Sequence, residues 1–311
     1  MPFTLMTTHA HPDDETIGTG GVMAKAVRDG HRVVLVTGTR GEMGEIVVPA
    51  LDTPENHHRL GEIRMGELEA AMGDLGVTEW ENLGYRDSDM MGRKGNADAR
   101  CFWQADLDEA AGRLVWLMRT HRPHVVTTYN DFGGYGHPDH IRTHDTAVRA
   151  FARAGDPAWY PEQLAPEHGG TGPSVEAGGL APWTPLKLYE QAIPASVRKA
   201  MWEAQEANGQ PNRWAPPPDA TPEQIAEMQA QMERMLTPDD QITTWIDVSD
   251  VTEQKWAAIN RHVTQMSPDS FFLAGGIENW RKFWSRETFV LTRSAVDSPR
   301  PETDLFAGLA G

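Results

Sequence analysis

The chain has 311 residues, of which 39% are hydrophobic and 23% charged, and its formal net charge is −17. This size and composition are ordinary for a globular protein built on one α/β core, and no run of 18 apolar residues predicts a membrane-spanning helix. The negative charge argues against a nucleic-acid partner, because phosphate backbones bind surfaces rich in Lys and Arg. A single cysteine, Cys101, excludes an intrachain disulfide, and the N-terminus lacks the features of a signal peptide, so we expect a cytoplasmic protein.

The first half of the chain alternates strand-like and helix-like segments. Short runs rich in Val and Thr predict buried strands, and longer segments with apolar residues at helical spacing predict helices. In chain order we expect a strand at 3–10, a helix at 16–29, a strand at 32–37, helices at 55–75 and 107–120, a strand at 124–129 and a helix at 140–154. This alternation predicts an α/β fold with a Rossmann-like, mostly parallel sheet and helices on both faces.

The second half is less regular and is expected to contribute insertions and additional strands. Strand-like runs occur at 186–193, 242–248 and 287–293, and a polar, Met-containing helix is expected at 222–236. Residues 155–185 are rich in Gly and Pro, and 207–221 form a second Pro-rich break. We therefore predict one catalytic domain, in which 1–154 form the core that carries the site and 155–311 complete the sheet, with lid-like insertions at 155–185 and 207–236.

Two loops follow predicted strands and should meet at one edge of the sheet, because ligands bind at the carboxyl ends of parallel strands. They are HPDDE at 11–15 and DFGGYGHPDH at 131–140. A catalytic zinc site needs three protein ligands and one open position, and His11, Asp14 and His140 supply such a set. This N/O donor set suits Zn²⁺ and also accepts Fe²⁺. Either loop alone would be read as a polar turn, but the pair indicates a metal site.

The remaining polar groups of these loops suit amide hydrolysis, which needs a base for water, a donor to the oxyanion and an acid for the leaving amine. Asp13, next to a ligand, is the expected base. His137 is the expected acid or oxyanion partner, and Asp139 is expected to hold the His137 ring in one tautomer. Tyr135, between two glycines, could reach the oxyanion or the leaving group.

Other histidines offer alternatives for the third ligand. His144 lies four residues after His140, so both rings can fall on one helix face. We favour His140, which lies one turn nearer the strand ends. His57 and His58 are expected at the surface of a helix start.

At these residues the chain resembles the LmbE-like, or PIG-L, family of N-acetylglucosaminyl deacetylases. HAHPDDE at 9–15 and GGYGHPDH at 133–140 look like the two metal motifs of that family. Within it, the chain is most similar to the mycothiol branch of actinobacteria. Further stretches that look like this branch are RGEMGEI (40–46), RMGEL (64–68), YRDSDM (85–90), RPHVVTTY (122–129) and PETDLFAGL (301–309).

The resemblance implies a metal-dependent hydrolase that deacetylates a small amino-sugar substrate, with no nucleic-acid or membrane partner. It implies zinc on His11, Asp14 and His140, a general base at Asp13, His137 with Tyr135 at the oxyanion and leaving group, and sugar or inositol contacts by Arg64, Asp87 and Glu45. A homo-oligomer is compatible with it.

The resemblance leaves the substrate open between two enzymes of the branch. We expect deacetylation of N-acetylglucosaminyl-inositol or a related glucosaminide, such as the malate-linked sugar of bacillithiol synthesis. The alternative is a mycothiol S-conjugate amidase, which cleaves a cysteinyl-glucosamine amide, and residues 262–273 resemble that enzyme. Gly18 stands where the amidase looks to carry a lysine and the deacetylase a serine. Outside enzymes, the alternative is a sugar-binding protein with a structural zinc.

Overall fold

A computed structural model describes residues 2–165, 179–207, 216–217 and 219–310. The strands are β1 (Thr4–His9), β2 (Arg32–Thr39), β3 (Glu79–Tyr85), β4 (Val125–Thr128), β5 (Lys187–Gln191), β6 (Thr244–Asp247) and β7 (Arg286–Ser294). The helices are α1 (Asp14–Gly18), α2 (Gly20–Arg28), α3 (Pro54–His58), α4 (Leu60–Leu75), α5 (Leu107–His121), α6 (Gly133–Gly136), α7 (Pro138–Arg153), α8 (Ala195–Ala207), α9 (Pro222–Met235), α10 (Thr252–Ile259) and α11 (Gly276–Phe283).

The strands of the described ranges form one seven-stranded sheet in the order β3-β2-β1-β4-β5-β7-β6. β3, β2, β1, β4 and β5 are mutually parallel, whereas β7 runs antiparallel to both of its neighbours. From β1 the chain first builds the sheet outward through β2 and β3, and then returns to the other side of β1 with β4. Such a reversal opens a crevice at the carboxyl ends of the two central strands, β1 and β4.

Buried side chains alternate between the two faces of the sheet, as the twofold period of a strand requires. In β1, Leu5 belongs to the apolar layer under α2, α4 and α10, and Met6 belongs to the layer under α5 and α7. In β2, Val33 and Leu35 face the first layer, while Val34 faces the second. The predicted α/β fold, with a mostly parallel sheet covered on both faces, is confirmed.

Two helices predicted as continuous are interrupted. The segment expected to be helical over 16–29 breaks at Thr19, whose φ of −139° is not helical. The Thr19 hydroxyl donates to the Glu15 carbonyl at 3.1 Å and lies 2.8 Å from the His9 ring, so side-chain bonds replace the helix at this point. The segment expected over 55–75 is also interrupted, at Arg59, where φ is −112° and not helical.

Other elements had no strong sequence signal. β3 lies at the edge of the sheet, and most of its residues are only partly buried, so it lacks a clear apolar pattern. Of the two proposed lid-like insertions, residues 166–178 in the first and 208–215 with 218 in the second lie outside the described residues. The expected helix of the second insertion is present as α9.

The C-terminal segment is fixed to the sheet by one buried carboxylate. Glu302 accepts hydrogen bonds from the Lys187 ammonium at 2.6 Å, the Tyr189 hydroxyl at 2.8 Å and the Thr244 hydroxyl at 2.7 Å, and also from Ser298. Because Glu302 and Lys187 are fully buried, each compensates the charge of the other. Strands β5 and β6 and the end of the chain are thereby joined at one point.

None of the helices in the described ranges is long and apolar enough to cross a lipid bilayer.

Candidate metal centre and active site

The loops that follow β1 and β4 meet at the central crevice and place the Asp14 carboxylate between two imidazoles. Asp14 Oδ2 lies 3.3 Å from His11 Nδ1 and 3.3 Å from His140 Nε2. Ligands about 2.0–2.1 Å from a tetrahedral Zn²⁺ are about 3.3 Å apart. The spacing of Asp14 to both imidazoles is therefore that of ligands on one ion.

His140 offers the clearest test of whether a metal fits. The residue is 2% exposed, and both of its ring nitrogens are buried; apart from Asp14, 3.3 Å from Nε2, neither nitrogen has a polar partner among the described residues. The Tyr129 ring stacks on it with a centroid distance of 4.3 Å. A buried polar atom without a partner is costly, and a cation bound at Nε2 would remove that cost for this nitrogen.

Asp14 has the charge that a ligand needs. Burial on its own raises the pKa of this carboxyl, but the charge of His140 and hydrogen bonds with His11 and His140 hold the pKa well below its usual range. Asp14 is therefore an anion at neutral pH. An anionic oxygen beside two imidazoles is a donor set that suits Zn²⁺.

The far side of the His11 ring is held by a carboxylate. Asp139 Oδ2 lies 3.1 Å from His11 Nε2, and this buried carboxylate also accepts from the Ser88 backbone N–H at 2.9 Å and from the Ser88 hydroxyl. Carboxylates that bind the second nitrogen of a ligating imidazole fix its orientation and raise its basicity. The expectation that the Asp139 carboxylate holds His137 is thus corrected: the carboxylate holds His11, and only the Asp139 backbone N–H binds His137.

His137 is oriented by main chain instead. Its Nδ1 accepts from the Asp139 backbone N–H at 3.1 Å and so caps the N-terminus of α7. Burial and the nearby charges of His11 and His140 hold the pKa of His137 well below its usual range. With Nδ1 used as an acceptor, the neutral ring carries its proton on Nε2 and can act as a hydrogen-bond donor.

More donors lie here than one ion requires. Ring nitrogens of His11, His137 and His140 lie within 4.8 Å of one another, and so do donor atoms of His11, Asp87, His137 and Asp139. The cap on His137 Nδ1 and the Ser88 contacts of Asp139 give those two residues other partners. His140 lacks such partners, which favours the set that contains Asp14.

Asp13 occupies a conformation that is rare for a residue with a side chain. Its φ of 121° lies outside the region that L-residues prefer, at a cost of about 1–3 kcal/mol. Its carboxylate lies 3.3 Å from the Arg64 guanidinium. Burial raises the pKa of Asp13 to about 6, and the Arg64 charge opposes that rise. A carboxylate with such a pKa can accept a proton near neutral pH.

Comparison with known proteins supports the sequence resemblance. The family model described as PIG-L, GlcNAc-PI de-N-acetylase, matches residues 6–151, which include both motif loops. A deacetylase of Frankia casuarinae is 40% identical over 98% of this chain and 95% of its own length. One of Streptomyces avermitilis is 41% identical over 98% of this chain and 97% of its own. The chain belongs to the PIG-L family.

Both of those relatives are named 1D-myo-inositol 2-acetamido-2-deoxy-α-D-glucopyranoside deacetylase. Among solved structures, the N,N′-diacetylchitobiose deacetylase of Pyrococcus horikoshii matches this PIG-L chain with a TM-score of 0.60 and 20% identity, covering 93% of this chain and 84% of the other. At that identity the likeness shows the fold alone.

The three expected sugar contacts of this PIG-L protein lie in different surroundings. Arg64 is 3% exposed and donates to the carbonyls of Gly41 at 2.9 Å and Pro12 at 2.6 Å, so it orders the loops around Asp13. Asp87 is also buried, with Oδ1 3.8 Å from His11 Nε2. The Glu45 side chain is 76% exposed. A sugar contact by any of the three stays a prediction.

Two further expectations concern aromatic and histidine side chains. Tyr135 is 39% exposed, and its ring centroid lies 4.8 Å from that of His140, so its phenol borders both the metal centre and solvent. His144 faces Asp145 at 3.2 Å and Glu190 at 3.4 Å, which gives both of its nitrogens partners away from Asp14. His57 and His58 are exposed, as expected.

Two functional candidates were missed. Glu15 and His262 are fully buried and bonded to each other beside Asp13. Glu15 stands in the HPDDE motif itself, which was the available signal. His262 is 247 residues away from it, and no sequence pattern joins the two.

Proposed function

We propose that this PIG-L protein is a zinc-dependent deacetylase that removes the acetyl group from the glucosamine nitrogen of N-acetylglucosaminyl-inositol. The observation that carries the reaction type is the position of Asp14 between His11 and His140, with no other partner for the His140 nitrogens in the part of the chain that the structure describes. The substrate is proposed from the names of relatives that are about 40% identical over nearly the whole chain. They support an N-acetylated glucosaminide as the substrate.

In this proposal His11, Asp14 and His140 hold the ion. Zn²⁺ at such a site supplies Lewis-acid chemistry, polarising a carbonyl and lowering the pKa of water. Asp13 accepts a proton from the attacking water as the water oxygen bonds to the acetyl carbon. The His137 Nε2–H donates to the oxygen that becomes negative.

The C–N bond then breaks, and the amine nitrogen receives the proton that Asp13 took from water. The products are acetate and a free glucosamine amine. We propose that Tyr135, whose ring lies beside that of His140, donates to the same oxygen or to the leaving nitrogen. We propose Arg64, Asp87 and Glu45 as groups that face the sugar and the inositol.

The setting of the reaction is also a proposal. We propose a cytoplasmic enzyme, since its only cysteine, Cys101, is a buried free thiol that needs no oxidising compartment. Its partner is a small amino-sugar.

The direct test measures amine release together with bound metal. The protein is freed of metal, reloaded with Zn²⁺ or Fe²⁺, and given N-acetylglucosaminyl-inositol, N,N′-diacetylchitobiose or a cysteinyl-glucosamine thiol conjugate. We expect the highest kcat/KM on the inositol glycoside. A higher value on the conjugate would favour the amidase alternative, and metal binding without amine release from any of the three would overturn the proposal.

Asp13→Ala tests the proposed base. We expect the variant to keep its zinc and to lose about 100- to 10,000-fold in kcat, the range for general acid–base groups. Asp131→Ala, which removes an exposed carboxylate of the loop after β4, serves as the matched control and should stay within about threefold of the wild type. An unchanged kcat in Asp13→Ala would remove Asp13 from this role.

A further inference from the structure

The backbone conformation of Asp13 is not one that an aspartate adopts without support from its neighbours. Among the residues that the structure describes, three other non-glycine residues have positive φ, and their values of 52–62° fall in the ordinary left-handed region, whereas Asp13 lies at 121°. A residue with a side chain stays in such a conformation only where neighbouring groups fix it. The group that fixes the Asp13 backbone therefore sets the direction of its carboxylate together with Arg64, which lies 3.3 Å from that carboxylate.

Glu15 is that group. Its Oε2 accepts the Asp13 backbone N–H at 2.8 Å, so the carboxylate binds the N–H in the direction that the unusual φ gives it. The other oxygen, Oε1, accepts from the Thr16 hydroxyl at 2.7 Å and lies 2.9 Å from His262 Nε2. Glu15 and His262 are both fully buried, so neither can exchange its partner for solvent.

His262 comes from a loop that is anchored independently of Glu15. In that loop the Thr264 carbonyl accepts the Val47 N–H at 2.9 Å, and the Thr264 hydroxyl and N–H donate to Glu67 at 2.8 and 2.7 Å. Because these contacts hold the loop against the N-terminal part of the chain, His262 has a fixed position. It can hold Glu15 in the one orientation that reaches the Asp13 N–H.

We infer that Glu15 and His262 form a positioning pair, which sets the positive-φ backbone of Asp13 and thereby aims its carboxylate at the attacking water. This inference rests on the proposed function of Asp13 as the base. Neither member of the pair touches the reacting atoms. Glu15 acts through the Asp13 N–H, and His262 acts through Glu15.

The test compares two substitutions that differ only in the acceptor. Glu15→Met fills the same space but leaves the Asp13 N–H without a partner. Glu15→Gln keeps one oxygen for that N–H, while its amide can face a His262 ring in the other tautomer. We expect Glu15→Met to lower kcat by about 100-fold with KM within twofold and unchanged zinc content, since a displacement of about 1 Å has that effect. Glu15→Gln should recover most of the loss.

A double-mutant cycle separates positioning from a general loss of stability. In the Asp13→Ala background, Glu15→Met should change the residual rate by less than about twofold, because the residue it positions is gone. Glu302→Gln disturbs another buried carboxylate that bonds Lys187, and it should lower the melting temperature while kcat stays within twofold. If Glu15→Met does not fold, His262→Leu, which leaves Glu15 in place, is measured in the same cycle with the same expectation.

Several outcomes would overturn the inference. They are a kcat for Glu15→Met within threefold of the wild type, a loss of zinc, or an undiminished effect in the Asp13→Ala background. A wild type that releases no amine would instead count against the proposed function. In that case a crystal structure of Glu15→Met tests the inference without an activity measurement. We expect Asp13 to leave the positive-φ region, and a φ that stays near 121° would refute the inference.

Discussion

The two halves of the chain differ in what they contribute to the candidate site. Residues before 154 supply the groups proposed to do chemistry, and these lie on two short loops at neighbouring strand ends. The part after 179 supplies contacts that hold those loops: His262 binds Glu15, and Glu287 accepts the N–H groups of Gly21 and Val22 at 2.7 Å each. The comparison shows that reactive groups are local in sequence, whereas their support is long-range.

Glu287 is an example of a residue from the later part of the chain that supports the region around the motif loops. It binds two free N–H groups in the first turn of α2, the helix directly after α1, and the Lys255 ammonium compensates its charge at 2.6 Å. Changes to the reactive groups on the two motif loops should therefore remove chemistry or metal, and changes to the contacts that hold those loops should alter geometry or stability. The following predictions test that division, from the largest expected effect on turnover to the smallest.

His140→Ala should have the largest effect. It removes a buried imidazole whose nitrogens have no other partner in the described part of the chain, so we expect bound zinc to fall below about one tenth of the wild-type content and amine release to fall at least about 1,000-fold. The measurements are metal analysis and kcat. His144→Asn, on the same helix, is the control and should keep its zinc. Retained zinc in His140→Ala would contradict the ligand assignment.

His137→Asn should come next. An Asn side chain can still accept the Asp139 N–H and cap α7, but it lacks the donor at the position of Nε2. We expect a loss of about 100- to 1,000-fold in kcat, the range for one oxyanion donor, with little change in melting temperature. A variant that kept its kcat would show that the His137 N–H is not used.

Asp139→Asn should act through the metal. Because this carboxylate holds the His11 Nε2 at 3.1 Å, its replacement should weaken zinc binding by about 10- to 100-fold. Competition with a chelator measures this change. An affinity equal to that of the wild type would mean that the His11 ring needs no such support.

Part of this arrangement could be predicted from the sequence. Parallel strands place their carboxyl ends at one edge, so two motif loops after β1 and β4 were expected to meet, and His11, Asp14 and His140 do converge. The partner of Asp139 could not be predicted, because His11 lies 128 residues away and only tertiary packing selects it over the nearby His137.

The remaining differences have similar causes. The break at Thr19 depends on hydrogen bonds to Glu15 and His9, which helical periodicity does not record. The support from His262 depends on a loop fixed by contacts with Val47 and Glu67. These features arise from packing between distant segments, so local patterns carry little trace of them.

Glu302→Gln should separate stability from turnover. Breaking a buried ion pair costs about 3–5 kcal/mol in free energy of unfolding, because the Lys187 charge is left without a partner. Denaturant unfolding should show that loss, with kcat within about twofold at a temperature where the variant is folded. A large fall in kcat would contradict the assignment of chemistry to the motif loops and of structural support to the later part of the chain.

His144→Asn should show the smallest and most pH-dependent effect. Burial alone lowers the pKa of His144, but hydrogen bonds with Asp145 and Glu190 and their charges raise it from 6.5 to about 9. The raised pKa stabilises the folded state fully below pH 6.5, and this contribution is lost as the pH rises through about 9. The substitution should thus cost about 1–3 kcal/mol at pH 6 and much less near pH 10. Equal costs at both pH values would contradict this.

The most direct test of the central claim locates the ion. Crystals grown with Zn²⁺ and measured at the zinc absorption edge should show one strong anomalous peak bounded by His11 Nδ1, Asp14 Oδ2 and His140 Nε2. The peak should lie about 2.0–2.2 Å from each atom, with one coordination position left for solvent. A peak on the other side of the His11 ring, among Nε2, Asp87, His137 and Asp139, or no peak at either place, would contradict it.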